Sequence, residues 1–188
     1  MRRPTRLLLL LALAGCAVDR PVPASAPSPL PILTGFSALH AGIDFRAPVG
    51  TPVLAAADGE VRWVGEWPRA GRTVVIAHAA ELATAYMHLS EIAVRAGQIV
   101  HRGDLIGRTG ISGNATTPHL HFGVCRRPGG RCGSGAGSGW DDPAGHWVQG
   151  SPCFEAERPY PAGTPRLTLP LSCGGATGTS PRPLRPPA

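Results

Sequence analysis

The 188-residue chain contains no lysine; all 18 of its basic residues are arginines. Chemistry that needs a lysine amine is thereby excluded, including Schiff-base formation, P-loop phosphate binding and lipoyl or biotin attachment. Aromatic residues make up only 5% of the chain, so the core rests on Val, Ile, Leu and Ala. The longest apolar run, residues 7–14, falls far short of the roughly 20 residues that span a bilayer. Acidic residues number 12, which leaves a net charge of +6, but three positive charges are Arg2, Arg3 and Arg6 at the extreme N-terminus, and no nucleic-acid-binding signal remains. What the chain has in quantity is punctuation: 25 glycines and 21 prolines, a composition of short strands and turns and not of a helical bundle.

The first 15 residues have the form of a secretory signal, a basic n-region followed by a short apolar stretch. Leu13-Ala14-Gly15-Cys16 resembles the lipobox of bacterial lipoproteins. That resemblance implies cleavage before Cys16, lipidation of its thiol and, with Ala17 and not aspartate following, an anchored position on the periplasmic face of the outer membrane. Residues 16–36 form a proline-rich linker with polyproline II character. Residues 175–188, again rich in Gly and Pro, read as a disordered tail.

The middle of the chain reads as β structure. Val53–Ala57 ends at the turn signal Asp58-Gly59; Glu60–Val64 then alternates until Gly65, and Arg72–His78 is β-branched. Ala83–His88, Ile99-Val100, Leu105–Thr109 and His119–Val124 are further strands, with a short helical turn expected over Ser90–Val94. This spacing predicts a mainly β, compact antiparallel sheet or sandwich. The stretch from Val94 to Gly107 is similar to the hammerhead strands of biotinyl and lipoyl carrier domains, but without an acceptor lysine it is scaffold only.

The seven histidines are His40, His78, His88, His101, His119, His121 and His146. His119 and His121 are two apart, which in a strand places both on one face. His40 and Asp44 are four apart, and Gly42 and Pro48 disfavour a helix there. An imidazole, a carboxylate and one histidine of the 119/121 pair supply the three protein ligands of a catalytic zinc site with an open position. His78 reads as a solvated strand end, His101 as a turn residue, His146 as a residue beyond the core and Tyr86 as packing.

His40 and Asp44, Ala85-Tyr86-Met87-His88-Leu89-Ser90 and Pro118-His119-Leu120-His121-Phe122 occur in that order, joined by Gly42-Ile43-Asp44, Gly50-Thr51-Pro52-Val53, Ala56-Ala57-Asp58-Gly59 and Val94-Arg95-Ala96-Gly97. Together they resemble the lysostaphin/LytM-type zinc metallopeptidases, which cleave peptidoglycan cross-links. The resemblance places a LytM-type peptidase domain over residues 37–126. It implies zinc as cofactor, His40, Asp44 and His121 as its ligands, and His88 and His119 as catalytic residues beside it. With no His-Glu-x-x-His glutamate present, histidines must do the acid–base work. His119 is the expected general base; His88 is expected to stabilise the oxyanion or protonate the leaving amine. Some members carry a tyrosine shortly before the first ligand; here that stretch has Phe36 instead. The expected partner is the peptide stem of peptidoglycan, with a D-alanyl–diaminopimelate cross-link the natural target, no nucleic acid, membrane contact through the lipid alone, and a monomeric protein. The competing functional expectations are a non-catalytic LytM-like lipoprotein that activates a cell-wall amidase, against which the presence of all five positions speaks, and a structural envelope lipoprotein, against which intact His88 and His119 speak.

Cys125, Cys132, Cys153 and Cys173 remain after Cys16, an even number with three possible pairings, and export favours disulfides. Residues 127–174 are loop-rich and poor in apolar periodicity. They are expected to form a disulfide-stapled extension wrapped on the peptidase domain and bordering its groove.

Overall fold

A computed structural model describes residues 30–128, 132–133, 139–160 and 165–173. The signal segment, Cys16, most of the linker and the tail lie outside the described residues. Eleven strands are assigned there: β1 (Ile32–Thr34), β2 (Ile43–Arg46), β3 (Pro52–Leu54), β4 (Gly59–Trp67), β5 (Gly71–Ala77), β6 (Leu82–Met87), β7 (Leu89–Ile92), β8 (Ile99–Val100), β9 (Leu105–Thr109), β10 (His119–Arg126) and β11 (Trp140–Asp141). A 3₁₀ turn at Pro143–His146 is capped by Asp142, whose side chain accepts from the Ala144 amide. The large sheet runs β1-β2-β10-β6-β5-β4-β8, with β11 added to β10, and the small sheet runs β3-β9-β7. Every ladder is antiparallel. The antiparallel β architecture expected from the sequence is the fold.

Period-two alternation sorts the large sheet into two faces. Phe45 of β2, Val74 and Ile76 of β5, Tyr86 of β6, and Leu120, Phe122 and Val124 of β10 join Val53, Leu89 and Ile106 of the small sheet in one buried core. The opposite face carries Val75, Ala83, Ala85, Met87 and Cys125 beneath Trp63, Trp67 and Trp140. Strand β6 is buried along its whole length because both faces are covered.

Three local expectations are corrected. Leu89–Ile92 is a strand and not a helical turn: Leu89 pairs with Thr109 and Ile92 with Gly107, and the ladder to β9 overrides local preference. Strand β4 continues through Gly65 to Trp67, since Gly65 and Glu66 find partners in Thr73 and Arg72. Strand β1, paired with β2, lies within residues assigned to the linker.

The C-terminal extension wraps the domain and also enters its core. Leu167, Leu169 and Leu171 alternate inward beside Trp147. Their backbone is stitched to the first half of the chain, the Thr168 amide to the Ala56 carbonyl at 2.9 Å and the Leu54 amide to the Pro170 carbonyl at 2.8 Å. Arg102 clamps the join: its guanidinium donates to the carbonyls of Ala56 and Arg166 and lies 4.3 Å from the centre of the Tyr160 ring. Disulfides link Cys125 to Cys132 and Cys153 to Cys173. The leucine alternation was present in the sequence and is what gives this segment its hold.

His78 is not a solvated strand end. Its Nδ1 is 2.7 Å from the Asp58 carbonyl and its Nε2 is 2.9 Å from the Thr84 hydroxyl, which is 3.0 Å from the Tyr86 hydroxyl. Burial, with the Arg102 charge adding to it and the bond to Asp58 opposing it, lowers the His78 pKa to about 4. An unfolded chain takes up that proton near pH 6.5, before the folded one does. The stabilisation is therefore complete above about pH 6.5 and is lost as pH falls toward 4. By linkage the change is at most about 3 kcal/mol. Urea unfolding at pH 7 and pH 4.5 should show wild type losing more stability on acidification than His78→Gln; equal losses would mean that His78 titrates normally in the fold.

Candidate metal centre

Strand β10 supplies the foundation of the site. Leu120 and Phe122 point into the core, so His119 and His121 are delivered to the opposite face. Strand β2 does the same for Asp44, between the core residues Ile43 and Phe45. In the β2–β10 ladder Asp44 is directly opposite His121, and β6 places Met87 on the other side of His121. Cross-strand register therefore fixes the pair before any side-chain preference acts. His40 stands just ahead of β2, in a tight turn closed by reciprocal backbone hydrogen bonds with Ser37. Gly42 is required by closeness: a Cβ there would lie 2.6 Å from His121 Nε2 and from the Phe122 carbonyl oxygen.

The ligating atoms of His40, Asp44 and His121 all lie within 4.8 Å of one another. One Asp44 oxygen, Oδ2, is 3.0 Å from His40 Nε2, and the other, Oδ1, is 2.8 Å from His121 Nδ1. His40 Nδ1 is 2.9 Å from the Gly35 carbonyl oxygen, which can only accept, so Nδ1 carries the ring hydrogen. A neutral His40 then turns the lone pair of Nε2 toward a carboxylate, an arrangement that needs a positive charge between them. A cation shared by two imidazoles and a carboxylate satisfies it, and this donor set suits zinc, which takes nitrogen and oxygen ligands at about 2.0–2.2 Å. The residues present fit such an ion. Burial opposes ionisation of Asp44, but the hydrogen bond from His121 and the nearby His121, His40 and His119 outweigh it and leave the carboxyl below its ordinary pKa.

His119 and His88 flank this cluster. His119 is buried, with Nε2 3.7 Å from Asp44 Oδ1 and Nδ1 2.7 Å from the Thr117 carbonyl. His88 occupies the corner where the chain passes from β6 in the large sheet to β7 in the small one, at a φ of 60° that is costly for a side-chain-bearing residue. Its Nδ1 is 2.8 Å from the Ser112 carbonyl, and its ring centre is 4.7 Å from that of His119 and 6.1 Å from that of His121. In both flanking rings a carbonyl fixes the hydrogen on Nδ1 and leaves the Nε2 lone pair to accept a proton. Burial foremost, with His119 and His121 adding to it, lowers the His88 pKa, so that the ring is neutral at neutral pH.

All five residues singled out in the sequence as ligands or acid–base groups thus converge. The other histidines stand apart. His101 is exposed at 3.7 Å from Asp58, and His146 pairs with Asp141 at 3.1 Å. Among the described residues, no second group of metal-binding side chains is found. Sequence reading missed the carbonyls of Gly35, Ser112 and Thr117 that fix the tautomers, because backbone acceptors leave no residue-type signal. It also missed the identity of the groove walls. A groove of 730 Å³ opens beside His121, with Trp67, Arg69 and Trp140 in its lining. Trp140 belongs to the C-terminal extension and packs over Gly123, where a Cβ would meet its ring at 2.5 Å.

Residues 38–132 match the model of peptidase family M23. Among curated proteins, the peptidoglycan DD-endopeptidases ShyA and ShyB of Vibrio cholerae are 46% and 44% identical over 96 and 95 residues. These segments are 51% and 50% of this chain but 22% of each relative, so the chain spans about a fifth of the length of the proteins it matches. Among solved structures, LytU aligns with a TM-score of 0.53 and 33% identity, covering 61% of this chain and 81% of that one. A zinc-containing peptidase from Vibrio cholerae aligns with a TM-score of 0.51 and 38% identity, covering 55% of this chain and 37% of that one. His40 and the strands β2 and β10, which bring two histidines and an aspartate to one point, lie within the matched span, and the chain belongs to peptidase family M23.

Proposed function

We propose that this protein is a zinc-dependent metalloendopeptidase that hydrolyses peptide cross-links of peptidoglycan. The observation that carries the reading is the convergence of His40, Asp44 and His121 with His88 and His119 beside a groove of 730 Å³. His40, Asp44 and His121 would hold the ion. A zinc ion held there would supply Lewis-acid chemistry, polarising the scissile carbonyl and making water more acidic, with a pKa toward about 7. His119, with Nε2 free to accept, takes up the proton released by the attacking water. His88 would hydrogen-bond the oxyanion or help protonate the departing amine through Nε2, which must first take up a proton, because its Nδ1 hydrogen is committed to Ser112. The names of ShyA and ShyB favour a DD cross-link as the bond cleaved. An amidase-activating module needs none of these five side chains, so their joint retention favours catalysis.

Digestion of purified sacculi tests the reading. Cross-linked dimers should give way to monomers in the presence of zinc and persist with chelator. Release of free glycan strands or intact stems instead would replace it with a different hydrolase class.

The lipobox-like N-terminus supports a proposal for the site of action. Lipidation of Cys16 would tether the domain to the periplasmic face of the outer membrane by a proline-rich linker, with the lipid as anchor. Fractionation of cells making Cys16→Ser should find the protein in the soluble periplasm while wild type sediments with membranes. An unchanged membrane fraction would show that another element holds it.

A further inference from the structure

Among the described residues, the groove beside His121 carries one formal charge apart from the ligand cluster, the guanidinium of Arg69. The rest of its wall is dominated by apolar side chains, among them Trp67, Met87, Trp140 and the fully exposed Leu39. Arg69 is exposed and makes no ion pair or side-chain hydrogen bond among the described residues. Its backbone, by contrast, is held firmly. It sits in the β4–β5 turn, where the Arg69 carbonyl accepts from the Asn114 amide at 2.9 Å and the Ala70 carbonyl accepts from the His88 amide at 2.9 Å. Gly71, the next residue, lies so close to the loop before β10 that a Cβ on it would meet the Gly113 nitrogen at 2.4 Å. The Arg72 amide donates to the hydroxyl of Ser112, whose carbonyl in turn holds His88. The turn bearing Arg69 is thus hydrogen-bonded directly to one of the two flanking histidines.

An uncompensated arginine in an otherwise apolar groove, registered by backbone bonds to the reacting centre, is a binding element for an anion on the substrate. Guanidinium pairs best with a carboxylate, through two parallel hydrogen bonds. We propose that Arg69 is a specificity-determining residue. It recognises a free carboxylate on the amino acid that supplies the scissile amine, so that the enzyme selects cross-links with this group ionised over those with it amidated. The inference rests on the peptidase reading above and names the substrate class for the same site.

Two synthetic cross-linked peptides, identical except for a carboxylate or a carboxamide on that amino acid, test it. Wild type should cleave the carboxylate peptide with a kcat/KM roughly tenfold higher, the effect of one charge-assisted contact, and the preference should shrink with added salt. Arg69→Gln should lose this factor on the carboxylate peptide, mainly in KM, while cleaving the carboxamide peptide as wild type does and keeping its zinc. Arg69→Lys should retain part of the preference. An equal ratio in wild type and Arg69→Gln, or no preference in wild type, overturns the assignment while leaving the peptidase reading intact. Cleavage of neither peptide by wild type defeats the peptidase reading. Binding of the two peptides to wild type and Arg69→Gln, followed by tryptophan fluorescence, then decides the role of Arg69 by the same ratio.

Discussion

Replacing His121 with alanine should empty the metal centre and end turnover. The residue is held in place from three directions: opposite Asp44 and beside Met87 in the ladders of β10, and against Gly42 from the turn before β2. Its Nδ1 is 2.8 Å from Asp44, and without it one imidazole and one carboxylate remain, fewer than the three ligands of a catalytic zinc site. Elemental analysis should find about one zinc per chain in wild type and almost none in His121→Ala. Cross-link cleavage should fall by roughly a thousandfold or more, the equivalent of several kcal/mol of lost transition-state stabilisation. The core-facing neighbours Leu120 and Phe122 are untouched, so circular dichroism and thermal unfolding with chelator present should match wild type. Full zinc retention in His121→Ala would remove this residue from the ligand set.

His88→Ala and His119→Ala should behave differently: metal kept, chemistry lost. Neither residue belongs to the three-residue ligand cluster, yet both flank it with a free Nε2. General acid–base groups contribute roughly 10²–10⁴-fold each, and losses in that range are expected in kcat with little change in KM. The double variant should lose less than the product of the two single losses, because the two rings, 4.7 Å apart, serve the same hydrolysis as a unit. Muropeptide release at the wild-type rate by both single variants would defeat the proposed mechanism and favour a role as a binding or activating module.

The site was legible in the sequence because its logic is local. His119-Leu120-His121 announces a two-residue period, and a strand can only place those imidazoles on one side. That Asp44 lies opposite His121 is a matter of ladder register, which no single segment encodes; the sequence implied only, through its resemblance to a known family, that the two share a metal. Elements whose structure depends on distant partners were less readable. Leu89–Ile92 is a strand because β9 offers a ladder, and His78 is sequestered because Asp58, Thr84 and Arg102 close around it. Leu167, Leu169 and Leu171 alternate as a strand does, but their place in the core depends on backbone bonds to Leu54 and Ala56, more than a hundred positions earlier. The four cysteines left three pairings open, and proximity alone chose Cys125–Cys132 and Cys153–Cys173. Trp140 reached the groove by adding a two-residue strand to β10 beyond the end of β2, an edge that exists only once the sheet is formed.

Catalysis through a single ion held by His40, Asp44 and His121 is tested most directly by titrating zinc into metal-free protein while following cleavage of a cross-linked muropeptide. Activity should be absent in the metal-free protein, rise linearly with zinc and level off near one equivalent per chain. Cleavage at full rate by the metal-free protein, or zinc uptake to one equivalent with no cleavage, would contradict it.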